Sequence, residues 1–267
     1  MNQQNTPSDY FPDEIFKAYD VRGIVDSALT TTITRKIGQA FGSEARSRGV
    51  DSVIIARDGR LSGPALSSAL SEGLRASGCD VIDVGMVPTP TLYFATYELG
   101  TGTGIMITGS HNPPEYNGLK MVMAGETLAG ERIQELKQRI LTEQYSTGAG
   151  ALSEIDIKPA YVKRILSEGN LSRELHAVVD CGNGVASEIA PELLSELGCK
   201  ITPLYCNTDG NFPNHHPDPS RPDTLADLIS TMHETGADIG LAFDGDGDRL
   251  GVVTPDGKII WPDRQLI

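Results

Sequence analysis

DSVIIARDGRLSGPALSSALSEGLRASGCDVIDVG, residues 51–85, changes its periodicity twice. Residues 51–59 are a β-rich apolar run ended by Asp58-Gly59, which reads as a buried strand followed by a turn. Residues 63–78 then space their apolar side chains as a helix does, with Pro64 near the start and Gly78 just past the end. CDVIDVG (79–85) returns to strand. Strand, helix and strand in this order make a crossover unit, so the sheet is expected to be parallel here.

The same order recurs downstream. ELHAVVDCGNG (174–184) is a strand running into a glycine turn, ASEIAPELLSELG (186–198) a helix, and CKITPLY (199–205) the next strand. Both copies pass from helix to strand through Gly-Cys, at Gly78-Cys79 and Gly198-Cys199. Each then leads, through another helical stretch, to an apolar strand with an unusual loop behind it. In the first copy GTGIMIT (102–108) precedes GSHNPPEYNG; in the second ADIGLAF (237–243) precedes DGDGDRLG. The expected fold is α/β: two topologically similar α/β domains with mainly parallel mixed sheets. Each would carry its special loop at the carboxyl end of a strand, where open parallel sheets bind ligands. An amphipathic helix within residues 127–145 and a linker at STGAGALSEI (146–155) separate them. The division drawn is 1–12 as a frayed N-terminus, 13–153 and 154–258 as domains, and 259–267 as the start of a third, cut short.

The 267 residues carry a formal charge of −14, which speaks against a nucleic-acid or acidic-membrane partner. MNQQNTPSDYFPDEIF lacks the basic and apolar regions of a signal peptide, and no apolar run has the length of a membrane span. Cys79, Cys181, Cys199 and Cys206 have no zinc-type spacing. They read as small buried thiols in a reducing cytoplasm, the expected location.

FDGDGDR (243–249) sets Asp244, Asp246 and Asp248 apart by glycine alone. Anions this close repel unless a cation lies among them, and glycine lets the backbone curl so that they converge. All-oxygen ligation suits Mg²⁺ or Ca²⁺. An EF-hand is excluded: counting from Asp244, its glycine position holds Arg249 and its glutamate position Pro255. A solvated acidic turn fits poorly behind so apolar a strand. Three carboxylates leave the ion short of ligands, and Mg²⁺ commonly shares its shell with phosphate. Arg249 is placed to meet such an anion.

ITGSHNPPEYNGLKMV (107–122) offers a serine at a strand end in a loop stiffened by Pro113 and Pro114. It is neither a nucleophile elbow nor a Walker loop. A phosphorylated Ser110 would supply the oxygen that the acidic loop lacks. Lys120 could exchange a proton with a hydroxyl if neighbours and desolvation lower its pKa. His111 could orient phosphate, or be a turn histidine bonded to backbone. FKAYDVRG (16–23) adds Lys17, Tyr19 and Arg22, which on their own read better as structural than as part of a site. His215 and His216 point apart in an extended chain, so they suit a proline-rich surface loop better than a metal site.

TGSHNPPEYNGLK, AFDGDGDR and KAYDVRG, with DCGNGVA and DGNFPNHHPDP, together resemble the α-D-phosphohexomutases, most closely the phosphomannomutase/phosphoglucomutase group. The likeness runs from about residue 12 onward. It implies interconversion of hexose 1-phosphate (mannose or glucose) and hexose 6-phosphate through a bisphosphorylated sugar. Ser110 would be the phosphoserine, primed by a hexose 1,6-bisphosphate, and its phosphate would hold Mg²⁺ with Asp244, Asp246 and Asp248. His111 and Lys120 would assist proton transfer or phosphate handling, with Tyr19, Arg22 and Arg249 around the phosphoryl group. The full enzyme would be a monomer acting on hexose phosphates. Members have four domains; the sugar-reading loop of the third and the phosphate clamp of the fourth have no counterpart here. The chain is therefore expected to turn over little substrate alone. Three rivals are phosphoglucosamine mutase, whose loop more often has Ala where this chain has Gly109, a haloacid-dehalogenase-type phosphatase using Asp244, and a Ca²⁺-stabilised binding module.

Overall fold

The computed structural model describes residues 11–265, so residues 1–10 of the stretch read as a frayed N-terminus lie outside the described residues. The first half contains β1 (Val21–Ile24), α1 (Thr31–Ser47), β2 (Ser52–Arg57), α2 (Gly63–Ala76) and β3 (Asp80–Met86). It continues with α3 (Thr89–Glu98), β4 (Gly104–Ile107), β5 (Tyr116–Met123), β6 (Glu126–Thr127), α4 (Glu131–Leu141) and β7 (Leu152–Glu154). Its sheet has the order β1-β5-β4-β2-β3-β7, with β6 beside β5. The second half contains α5 (Lys158–Glu168), β8 (His176–Asp180), α6 (Ala190–Glu196), β9 (Lys200–Leu204), α7 (Ala226–Thr235), β10 (Ile239–Phe243), β11 (Leu250–Val253) and β12 (Ile259–Ile260). Its sheet runs β12-β11-β10-β8-β9.

The repeat in the sequence is a repeat of topology. β4, β2 and β3 are mutually parallel with β5 antiparallel beside β4. β10, β8 and β9 are parallel in the same way with β11 antiparallel beside β10. Both faces of each sheet are covered, which is why the central strands are continuously apolar. Val53 and Ile55 pack with α1 and α2 while Ile54 and Ala56 pack toward α3. In the second sheet Val178 joins the cluster of α7, and Ala177 and Val179 join that of α6.

Three local readings change. The helix expected over 186–198 is a short 3-10 turn (Val185–Glu188) followed by α6, which restarts with Pro191 in its first turn. The stretch 146–155 is no loose tether. Gly148 N donates to Ala76 O and Gly150 N to Arg75 O, both at 2.9 Å, and β7 pairs with β3. A Cβ on Gly150 would fall on the Cys79 carbonyl, so glycine serves close backbone approach there. Of the four free cysteines, Cys79 and Cys181 are buried whereas Cys199 and Cys206 are partly exposed. No helix among the described residues is long and apolar enough to cross a membrane.

α1 and α2 cross at glycines. A Cβ on Gly73 would collide with the Arg35 carbonyl oxygen and lie 2.8 Å from Gln39 N. Gly73→Ala is therefore expected to lower stability by about 1–3 kcal/mol in urea unfolding, although alanine is the better helix former.

Candidate active site

β4 ends at Ile107 and β10 at Phe243, and their loops meet between the two sheets. Ser110 is 4% exposed and has φ of +51°, in the left-handed region that few non-glycine residues occupy. Its N–H donates to Thr108 Oγ1 at 2.7 Å. Its hydroxyl donates to Asp244 Oδ2 at 3.1 Å and lies 3.2 Å from His111 Nδ1. The serine loop and the acidic loop thus touch through the side chains that the sequence singled out.

Asp244 and Asp246 are fully buried; Asp248 is the outer member of the trio. One carboxylate oxygen from each falls within 4.8 Å of the others. Asp244 Oδ1 accepts the N–H groups of Asp248 and Arg249, each at 3.1 Å, while Oδ2 accepts Arg249 Nε (3.0 Å) and Nη2 (2.9 Å). Burial, reinforced by the charges of Asp246 and Asp248, pushes the Asp244 carboxyl up to about 7. For Asp246 burial acts upward too, but Lys120 and the Thr89 hydroxyl overcome it and hold the group below its ordinary value. Asp246 Oδ1 is buried and has no hydrogen-bond partner among the described residues. Converging carboxylates with an orphaned buried oxygen fit a hard divalent cation such as Mg²⁺.

Lys120, on β5, reaches across to Asp246 Oδ2 at 2.6 Å and Asp248 Oδ2 at 2.5 Å. Burial would lower its pKa, yet the two carboxylates win and hold it above lysine's ordinary value. The lowered pKa that base chemistry asks for is not found in this arrangement; Lys120 is a charged donor. His111 moves the other way, since burial and then Arg249 depress it and keep it neutral near pH 7. Arg249 also reaches Asp218 Oδ1 at 3.4 Å. A cleft of about 600 Å³ opens beside this cluster, lined by Lys17, Tyr19, Arg22, Tyr93, Lys120 and Asp248. Arg22 pairs with Asp20 on its wall, and Tyr19 stands on the rim, 78% exposed.

Several contributors escaped the sequence reading. Thr89 opens α3, donates from Oγ1 to Asp246 Oδ2 at 2.5 Å and from its N–H to Asp246 O at 2.9 Å. The positive end of α3 therefore faces the acidic loop from the other domain. Asp58 and Arg60 lie beneath the serine loop, fully buried. The only sequence signal for them was charge inside an apolar unit. The HHPDP segment is not a surface loop: Pro217 and Asp218 are buried, and His215 Nε2 pairs with buried Asp180 at 2.9 Å. A Cβ on Gly245 would lie 3.4 Å from Pro217 Cγ, so this segment buttresses the acidic turn.

The family model described as "Phosphoglucomutase/phosphomannomutase, alpha/beta/alpha domain I" matches residues 13–147, and that of domain II matches residues 159–257. A phosphomannomutase/phosphoglucomutase of Pseudomonas aeruginosa is 55% identical over 96% of this chain and 55% of its own length. A phosphoglucomutase of Neisseria meningitidis is 51% identical over 95% of this chain and 56% of its own. The crystal structure of a phosphoglucomutase/phosphomannomutase family protein from Burkholderia thailandensis superimposes with a TM-score of 0.92 at 53% identity, covering 94% of this chain and 57% of that one. The chain thus spans little more than half the length of the curated relatives it matches, and it belongs to the phosphoglucomutase/phosphomannomutase family.

Thr89 supports Asp246 without belonging to the carboxylate trio. Thr89→Val keeps the shape and removes the hydroxyl, so Mg²⁺ affinity measured by calorimetry is expected to fall about tenfold or more, with the melting temperature lowered by a few degrees as the buried carboxylate loses a donor.

Proposed function

Proceeding from that membership, we propose that this chain carries the phosphoserine and metal half of a phosphohexomutase site of phosphomannomutase/phosphoglucomutase type. The reaction is the interconversion of hexose 1-phosphate and hexose 6-phosphate, with mannose and glucose as the sugars. The observation that carries the reading is the contact of Ser110 Oγ with Asp244 at 3.1 Å, made by a buried serine in a fixed backbone conformation.

Ser110 Oγ attacks the phosphorus of a hexose 1,6-bisphosphate. The bond from phosphorus to the sugar oxygen breaks, and that oxygen leaves with a proton. Neutral His111, 3.2 Å from Oγ, is in reach to accept the serine proton. Protonated Lys120, on the wall of the cleft, is the group suited to give one to the departing oxygen. The reverse transfer then phosphorylates the other hydroxyl of a reoriented sugar. Arg22, with a buried Nε lacking a hydrogen-bond partner among the described residues, and Arg249 offer planar donors to phosphate, and Tyr19 borders the same cleft. Asp244, Asp246 and Asp248 with the Ser110 phosphate would hold Mg²⁺, which supplies neutralisation of charge on the phosphoryl group. Sugar recognition would be completed by parts of the family's architecture beyond these two domains. Free, unspaced cysteines support a reducing cytoplasm as the location, and we take the full enzyme to act as a monomer.

Incubation with glucose 1,6-bisphosphate and Mg²⁺, followed by intact mass and peptide mapping, is expected to find one phosphate, on Ser110, and none in Ser110→Ala. Label on Asp244 instead would point to a phosphatase. Absence of label, with Mg²⁺ affinity indifferent to residue 110, would point to a binding module. Steady-state turnover of glucose 1-phosphate or mannose 1-phosphate by this chain alone should be close to background; robust turnover would overturn the two-domain reading.

A further inference from the structure

We infer that Arg60 is the positioning residue of the serine loop, and that it ties the attitude of Ser110 to the second domain. Arg60 is 1% exposed and is among the largest fully buried side chains of the described residues. Its Nε donates to Asp58 Oδ2 at 3.2 Å. Its Nη1 donates to the carbonyls of Pro113 (2.6 Å) and Tyr116 (2.9 Å), and its Nη2 to those of Ser110 (2.8 Å) and Asn112 (2.7 Å). Every N–H of the guanidinium is thereby used, and the loop's carbonyl oxygens converge on one planar cation. Asp58 Oδ2 also accepts Gly109 N at 3.2 Å, so the pair grips the loop by an amide as well.

Two features show that the loop is shaped around this group. A Cβ on Gly109 would strike the guanidinium, so the residue before Ser110 is glycine for want of space. Ser110 itself holds a left-handed conformation, which persists only where the surroundings over-determine it. The second domain covers the same group from the far side. The Phe212 ring centroid lies 5.2 Å from Arg60 Cζ. Gly210 lies so close that a Cβ there would be 2.7 Å from Leu61 N and 2.9 Å from Arg60 Cα. Arg60 therefore touches no reacting atom but fixes the loop that carries Ser110, between the domain that owns it and the one that owns Asp244.

This inference rests on Ser110 being the residue phosphorylated, so the test separates the two. The rate of Ser110 labelling by glucose 1,6-bisphosphate is measured in the unsubstituted chain and in Arg60→Lys. If the unsubstituted chain takes no label, the phosphoserine reading fails first. Lysine keeps a cation beside Asp58 but has no planar fork. If Arg60 only neutralises Asp58, Arg60→Lys should label at the unsubstituted rate, and the inference is overturned. If the fork positions the loop, the rate at saturating bisphosphate is expected to fall by about tenfold or more, with the half-saturating concentration changed by no more than about twofold. Amide exchange should quicken in residues 109–117 while β2 and β4 stay protected. Should Arg60→Lys melt below the assay temperature, Asp58→Asn replaces it, since it leaves the guanidinium and weakens both its anchor and the grip of the same pair on Gly109 N. The same slowing is expected, and an unchanged rate overturns the inference.

Discussion

Two carboxylates, Asp244 and Asp246, are buried side by side, and most of the surrounding structure answers the repulsion between them. At the separation of at most 4.8 Å that their ligand oxygens allow, like charges repel by roughly 3 kcal/mol even at an effective dielectric of about 20. Compensation arrives from both directions in sequence. Arg249 forks onto Asp244 from within the acidic loop. Lys120 and the first turn of α3 come from the other domain and meet Asp246. One buried oxygen is still left over among the described residues, which a divalent ion would satisfy.

The consequence for architecture is that the candidate site is the interface. Neither sheet holds it alone: the hydroxyl sits behind β4, the carboxylates behind β10, and the charged lysine on β5 bridges them. A duplicated topology explains how two loops of unrelated sequence come to occupy equivalent places. In each domain the strand that ends in the loop lies beside the antiparallel partner, β5 or β11, so the loop opens toward the same edge of the unit. Turning two such edges toward each other makes one cleft from two strand ends.

Much of this was legible in the order of residues. Continuous apolar runs such as VIIA and AVV announce strands covered on both faces, and the Gly-Cys junctions mark the repeat. Serine, histidine and lysine around Pro113-Pro114, and the Asp-Gly alternation, carry enough chemistry to be picked out unaided. Arg60 and Thr89 did not stand out, because their importance lies in what they reach. An arginine in a DGRLSG turn and a threonine between prolines look like ordinary surface residues until the fold brings carbonyls or a carboxylate to them. The glycines at 148 and 150 misled in a related way: linker composition and close backbone approach call for the same residue. The HHPDP segment reads as surface for its polarity, yet Asp180 and the acidic turn bury it.

The placement of Asp246 against the start of α3 would couple the binding of an ion to the joining of the two domains. The carboxylate belongs to one domain and the hydroxyl that orients it to the other, so parting Pro88 from Gly247, whose added Cβ would lie 3.2 Å away, would take the threonine donor from the carboxylate. By thermodynamic reciprocity, whatever a bound ion would gain from this contact between the domains, the contact would gain from the ion. The metal would then serve as a latch between halves, and the strength of that latch would be written in a threonine that never touches it.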